Sequence, residues 1–291
     1  MSKDSIIAKF TDKQESYANI CLGTTIGHYA IDFDLGGVFG WNMALYKTPI
    51  EVYIMLLQKY SSWINDGATV FIALVYPIFV LGNIRRFMEE NEYQYANVLF
   101  GKNKYSNIIR QIILKIMPAP HNEQYHVLRI MEELEGKSRY KNHLRPWEIR
   151  KMSEILIDEG WNREIGIPEF VQKGHLEKNK KVDEVMEYHR NKLRELILFC
   201  QHKGYRPILV GIPYSRGVNE YVPDTFKEIC FYENVHIICK ETGCSFFDYS
   251  ADERMLDKDN YLEVQYLNRR GRRKFTNILL TETGIIHEDM K

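Results

Sequence analysis

Two apolar runs constrain the fold of this chain more than any other feature. Residues 69–76 (TVFIALVY) and 206–212 (RPILVGI) are almost continuously apolar and rich in β-branched residues. A strand that is buried on both faces has this composition, whereas a half-exposed strand alternates apolar and polar residues. The runs therefore predict two inner strands of a parallel sheet with helices on both faces.

Strand and helix patterns alternate around these runs. The predicted strands are 17–23, 36–42, 69–76, 206–212 and 244–248. One predicted helix starts at Thr48-Pro49 and ends before Gly67, and three others span 182–202, 224–242 and 272–283. Right-handed crossovers join such units. We expect an α/β fold, a three-layer α/β/α sandwich with a mostly parallel sheet of about five strands. The chain, 1–291, is predicted to be one domain, with residues 84–180 as a mainly helical insertion or cap.

Composition excludes several classes of protein. Lys plus Arg and Asp plus Glu each number 39, so no overall charge recruits nucleic acid. The apolar run 70–81 is shorter than the ~20 residues of a membrane-spanning helix, and the first ten residues do not resemble a signal peptide. The five cysteines lack a Cys-x-x-Cys pair, so they do not indicate a zinc site. His121 and His126 are five residues apart, whereas metal ligands on a helix are usually three or four residues apart. The sequence predicts a cytoplasmic protein without a membrane span, metal or cofactor.

Ligands of parallel α/β sheets bind beyond the carboxyl ends of the strands. Three predicted loops occupy such positions: Gly23-Thr24-Thr25, Tyr76-Pro77 and Pro213-Tyr214. The segment 259–271 precedes the closing helix and is expected to join them. The candidate oxyanion or ligand-binding residues are Gly23, Thr24, Asn42, Tyr76 and Tyr214.

Several of these segments resemble the sequence blocks of the SGNH/GDSL hydrolase superfamily. The resemblance is to a branch related to D-alanyl-lipoteichoic acid biosynthesis proteins and capsule O-acyltransferases. Residues 21–32 (CLGTTIGHYAID) resemble the first block, and residues 259–271 (DNYLEVQYLNRRG) resemble the last, which in the family reads Asp-x-x-His-Leu-Asn-x-x-Gly. Residues 39–44, 210–214 and 246–250 resemble the blocks between them.

The resemblance implies a catalytic site whose chemical residues are changed. The nucleophile position falls on Thr25, the aspartate position on Glu263 and the histidine position on Tyr266. A phenol ordinarily has a pKa of ~10 against ~6.5 for imidazole, so it donates a proton at neutral pH where the family needs an acceptor. The Gly-x-Asn-Asp block is replaced by residues 75–78 (VYPI). Gly23 with the backbone N–H of Thr25 or Ile26 remains a predicted anion-binding turn.

Two functions follow from this pattern. The first is a degenerate SGNH-like protein of bacterial surface polysaccharide biosynthesis or modification, which binds a glycan, an acyl carrier or a partner protein without hydrolysing esters. The alternative is an active acyl-ester hydrolase or O-acyltransferase that uses Thr25 as nucleophile and either His28 or another histidine from the insertion as substitute base. Simpler interpretations stay open: Thr24 and Thr25 as helix-capping hydroxyls, and Tyr266 as a half-buried aromatic that shares a loop hydrogen bond with Glu263.

A dense basic run, residues 269–274 (RRGRRK), begins the closing helix. It predicts either a solvated helix start or a contact for phosphate or an acidic glycan, since guanidinium groups suit such anions. The sequence leaves the oligomeric state open.

Overall fold

The two apolar runs form neighbouring strands of one parallel sheet. The computed structural model describes residue 10 and residues 16–45, 48–80, 180–262 and 265–286. Its strands are β1 (Tyr17–Leu22), β2 (Trp41–Asn42), β3 (Ile64–Leu74), β4 (Arg206–Gly211) and β5 (Ser245–Asp248). They lie in the order β2-β1-β3-β4-β5, and every pairing is parallel. The predicted parallel sheet of about five strands is therefore confirmed.

The described ranges contain seven α-helices. They are α1 (Thr25–Ala30), α2 (Ile50–Tyr60), α3 (Lys180–His202), α4 (Arg216–Tyr221), α5 (Asp224–Lys227), α6 (Glu233–Thr242) and α7 (Arg269–Glu282). A π-helical turn, Glu228–Tyr232, joins α5 to α6. The long helix α3 packs between α2 and α6, whereas α7 packs against α1. Helix α3 also contacts β4, and helix α6 contacts β5.

The carboxyl ends of the parallel strands form one edge, which we call the carboxyl edge. The chain passes from β1 outward to β2, then returns across the sheet to β3 on the other side of β1. The direction of winding therefore reverses between β1 and β3. In parallel α/β sheets a ligand-binding crevice lies outside the carboxyl ends at such a point.

Some predicted boundaries are wrong. The helix that starts after Thr48-Pro49 ends at Tyr60, and a 3₁₀ turn (Ser61–Trp63) leads directly into β3 at Ile64. Gly67 lies inside β3 with a φ of 74°, and not at the end of a helix. The register between β1 and β3 shifts in this region, which accommodates a residue with positive φ.

Two other predicted elements differ in length. The predicted strand 36–42 is reduced to Trp41–Asn42, because residues 33–37 form a turn. The closing helix starts at Arg269 and not at residue 272, since Asn268 caps it. Elsewhere the glycine signals are confirmed: Gly204 and Gly243 adopt φ values of 73° and 69° just after α3 and α6.

The predicted insertion, residues 84–180, lies outside the described residues except for its last position. Within the described ranges, no helix has the length and apolar character needed to cross a bilayer.

Candidate functional site

The turn between β1 and α1 is built on close packing against β3. A Cβ atom added to Gly23 would lie 2.8 Å from Ala73 Cβ, and one added to Gly27 would lie 2.9 Å from the same atom. Only hydrogen on both Cα atoms lets the start of α1 approach β3 this closely. Gly23, a predicted ligand-binding residue, therefore has a packing role that fixes the position of Thr24 and Thr25.

Thr24 and Thr25 are both buried at the carboxyl edge. Thr24 is the N-cap residue of α1 and has extended backbone angles, but its side chain makes no capping hydrogen bond. Thr25 is the first residue of the helix. The interpretation of Thr24 as a capping hydroxyl is therefore not realised, although its position is that of an N-cap.

Tyr266 lies beside α1. Its ring centroid is 5.1 Å from that of Tyr29, which follows Thr25 by one helical turn. The half-buried Tyr266 is held by its backbone, since its carbonyl accepts a hydrogen bond of 2.7 Å from the Leu262 amide. The structure thus brings the predicted base position next to the helix that begins at the predicted nucleophile. Glu263 lies outside the described residues.

His28 occupies the same helix and is partly exposed. Its ring meets Tyr29 edge to face at 5.0 Å. The other described histidines lie on α3 (His189, His202) and α6 (His236), whereas His28 lies on α1 itself, three residues after Thr25. Among the described residues, His28 is thus the histidine to test as a substitute base.

Asn42 holds the end of α1. Its side-chain amide donates to the carbonyls of Ile31 at 2.7 Å and Gly27 at 3.1 Å, and its Oδ1 accepts from the Ala44 amide at 2.9 Å. The Gly27 carbonyl also accepts from the Ile31 amide at 3.3 Å, so Asn42 adds a second bond there and ties the end of α1 to β2. Its described hydrogen bonds are structural, and a direct role in ligand binding stays a prediction.

Tyr76 and Tyr214 follow β3 and β4 and stack on each other, with ring centroids 4.8 Å apart and planes 15° apart. Both rings are buried. Burial raises the pKa of each phenol above its usual range, so both hydroxyls stay protonated donors. Tyr76 donates to Asn219 Oδ1 at 2.7 Å. The pair lies beyond the carboxyl ends of the neighbouring strands β3 and β4.

A polar network that the sequence interpretation missed connects β4 with β5. Asn219 donates to the Ser250 carbonyl at 2.8 Å, and the Ser250 hydroxyl donates to Asp248 Oδ1 at 2.6 Å. The Tyr232 hydroxyl lies 3.0 Å from Ser250 Oγ. The positions of Asp248 and Ser250 in this network were predictable, because both residues come at or just after the end of the short predicted strand 244–248. The network extends from Tyr76 to an exposed carboxylate.

The last resembled block has a clear local structure. Asn268 Oδ1 accepts from the Gly271 amide at 2.8 Å, and its side-chain amide donates to the Asp259 carbonyl at 2.7 Å. Gly271 lies against the backbone of Asn260, where there is no room for a Cβ atom. The Asn-x-x-Gly frame thus starts α7 and fixes the loop that carries Tyr266.

Metal and thiol chemistry find no support in the described part of the chain. No group of three or more His, Cys, Asp or Glu residues there is arranged to hold a metal ion. All five cysteines are free thiols. Burial raises the pKa of Cys200, Cys230 and Cys244 to about 12. These three are therefore poor nucleophiles at neutral pH.

No protein-family model matches this chain, and no curated protein matches it. Membership of the SGNH superfamily therefore remains a prediction that rests on the quoted motifs.

Proposed function

We propose that this protein is a degenerate SGNH-like domain that binds a glycan or acylated small molecule at the carboxyl edge and does not hydrolyse it. The observation that carries the proposal is the contact between Tyr266 and Tyr29, 5.1 Å between ring centroids. The Tyr266 phenol lies beside the helix that begins at Thr25, and the resemblance implies that position 266 is the family's imidazole position. We further propose a cytoplasmic role in bacterial surface polysaccharide assembly, an expectation that comes from the resemblance alone.

The topology supports the proposed fold family. A parallel order of β2-β1-β3-β4-β5 is that of the flavodoxin-like doubly wound sheets. Right-handed crossovers would put α1 and α7 on one face and α2, α3 and α6 on the other. The observed contacts of α3 with α2 and α6, and of α7 with α1, agree with this three-layer arrangement.

The chemistry of the residues favours binding over hydrolysis. Acyl transfer by a hydroxyl needs a base to remove its proton and donors to stabilise the oxyanion. Thr25 is a hindered secondary alcohol, and a phenol with an ordinary pKa of ~10 is a poor acceptor of its proton. At the family's oxyanion block, the Tyr76 hydroxyl is committed to Asn219.

Restoring the family residues tests the proposal. We expect the wild type to be inactive on p-nitrophenyl acetate and longer esters. The triple substitution Thr25→Ser, Glu263→Asp and Tyr266→His should raise the hydrolysis rate roughly 100-fold above the background rate measured with the wild type, which is the usual contribution of a positioned base. The control is Thr25→Ala in place of Thr25→Ser, which should remove the gain.

Wild-type esterase activity would contradict the binding proposal. If that activity survived Tyr266→Phe but vanished in both Thr25→Ala and His28→Ala, the alternative enzyme would be favoured. A gene neighbourhood without glycosyltransferases would count against the proposed pathway and leave the test of the site untouched.

A further inference from the structure

The exposed side of α7 carries a cluster of cations. Arg269, Arg270, Arg273 and Lys274 are all exposed, while Gly271 and Phe275 face the core. At about 100° per residue, the four cations lie within an arc of about 140° around the helix. We call these four residues the basic face.

The fold alone does not favour this arrangement. The first turn of α7 contains no acidic residue, and its N-terminal end carries the positive pole of the helix dipole. Arg269 and Arg273 are four residues apart, as are Arg270 and Lys274. Like charges at this spacing repel each other. Both effects destabilise the free protein, and a bound anion would reverse them.

Several exposed or partly exposed cations of the described chain contact carboxylates, although Lys203 and Lys240 contact none of the described ones. Lys192 contacts Glu195 at 2.9 Å, and Arg254 contacts Glu282 at 2.7 Å. Arg194 is paired with Glu241. In contrast, no carboxylate within the described ranges lies within 4.0 Å of Arg270 or Arg273. Arg270 and Arg273 are thus exposed guanidinium groups, four positions of one helix carry cations, and no described carboxylate offsets these two charges at contact distance.

The basic face begins where the loop that carries Tyr266 ends. Tyr266 precedes it by three residues and contacts Tyr29 of α1. Arg272, on the inner side of the same turn, lies 3.9 Å from Asp32 at the end of α1. The Asn268 side chain occupies the Gly271 amide and the Asn268 backbone carbonyl accepts from the Arg272 amide, so two of the first amides of α7 are used within the helix start.

We propose that the basic face binds a phosphate or diphosphate group of the ligand that the carboxyl edge holds, with Arg270 and Arg273 as the principal contacts. The proposal rests on the proposed binding function and gives its ligand class, a phosphate-bearing glycan or acyl compound. Two planar guanidinium groups can each donate paired hydrogen bonds to phosphate oxygens, which lysine cannot do.

Calorimetric titration with pyrophosphate at constant ionic strength tests the proposal on the full chain. We expect saturable binding by the wild type and at least tenfold weaker binding by Arg270→Gln/Arg273→Gln. Arg270→Lys/Arg273→Lys keeps the charge and should bind with intermediate affinity. The matched control is Lys203→Gln/Lys240→Gln, which removes the same charge from exposed positions after α3 and in α6 and should bind as the wild type does.

Melting temperatures without ligand separate binding from a structural role. Arg270→Gln/Arg273→Gln should melt at the wild-type temperature or above, because repulsion is relieved. Three results would each overturn the proposal. They are a lower melting temperature of Arg270→Gln/Arg273→Gln, no pyrophosphate binding by the wild type, and an equal loss of pyrophosphate affinity in Lys203→Gln/Lys240→Gln. So would arginine-dependent binding to phosphatidylglycerol vesicles without pyrophosphate binding, which would indicate a membrane surface. None of these outcomes depends on the esterase restoration experiment.

Discussion

Gly271 lies where the first turn of α7 meets the backbone of Asn260. The Cβ of an alanine would overlap the Asn260 carbonyl oxygen and come within 2.9 Å of its carbon. That backbone has little freedom to move, because the Asn260 carbonyl also accepts from the Asn268 amide at 3.0 Å. A single hydrogen atom at Gly271 therefore determines whether the Tyr266 loop and α7 fit together.

We expect Gly271→Ala to lower the free energy of unfolding by about 2 kcal/mol. Overpacking costs about 1–3 kcal/mol, and its upper range applies against rigid backbone, while alanine returns about 1 kcal/mol of helix propensity. Urea unfolding measures the difference. Asn277→Ala on the same helix is the control and should change stability by at most about 0.5 kcal/mol. Equal stability of the two variants would refute this account.

The resemblance located Asn268 and Gly271 but could not say why they are there. The structure assigns both to the start of α7, a role that requires no catalysis. At Tyr266 the sequence identified the change of chemistry, whereas its contact with Tyr29 depends on the path of a loop. Loop paths follow from tertiary packing, which no local pattern encodes.

A hydrogen bond between Tyr188 and Glu51 connects the elements α3 and α2. The Tyr188 hydroxyl donates to Glu51 Oε1 at 2.6 Å. Burial, followed by this bond, raises the pKa of Tyr188 to about 12. Since the folded pKa lies above the ordinary value of 10, the stabilisation is complete below pH 10 and is lost as pH rises toward 12.

Tyr188→Phe should therefore destabilise the protein by about 1 kcal/mol at pH 8. The value is modest because Tyr188 is 38% exposed and solvent screens the bond. The gap between wild type and variant should shrink from pH 9 to pH 11 in urea unfolding series. In the Glu51→Gln variant, Tyr188→Phe should lower the free energy of unfolding by less, because the hydrogen-bond acceptor is then neutral. A gap that stays constant with pH would show that this bond is not its source.

Element boundaries were predictable where a glycine ends a long amphipathic helix, as after α3. They failed at Ile64, because an apolar residue there suits a helix face as well as a buried strand. Ile64 belongs to a strand because it pairs with Tyr17 of β1. That partner is distant in sequence, so a local pattern cannot reveal the pairing.

The reactivity of the five cysteines depends on whether the core of the protein is closed or open. Cys21, Cys200, Cys230 and Cys244 are buried, and Cys239 is half-buried. Cys200, Cys230 and Cys244 are kept as thiols at neutral pH, since their pKa values are raised to about 12. Reaction of the buried four requires opening of the sheet or its covering helices.

Alkylation by iodoacetamide at pH 8, followed by mass spectrometry, should therefore modify Cys239 first in the native protein. All five should react in 6 M guanidinium chloride. Cys239→Ser should leave the native protein almost unlabelled. Rapid native labelling of Cys230 or Cys244 would mean that the helices next to β5 open far more readily than their packing suggests.

The lengths of the five strands bear on how the protein behaves in a crowded solution. Among the residues that the structure describes, the longest strand, β3 with 11 residues, is enclosed between β1 and β4, whereas the outermost strands β2 and β5 have only 2 and 4 residues. Unpaired amides and carbonyls on an outer strand can template pairing with another chain. Short outer strands offer few such groups, so the sheet resists edge-to-edge aggregation while keeping its most apolar segment inside.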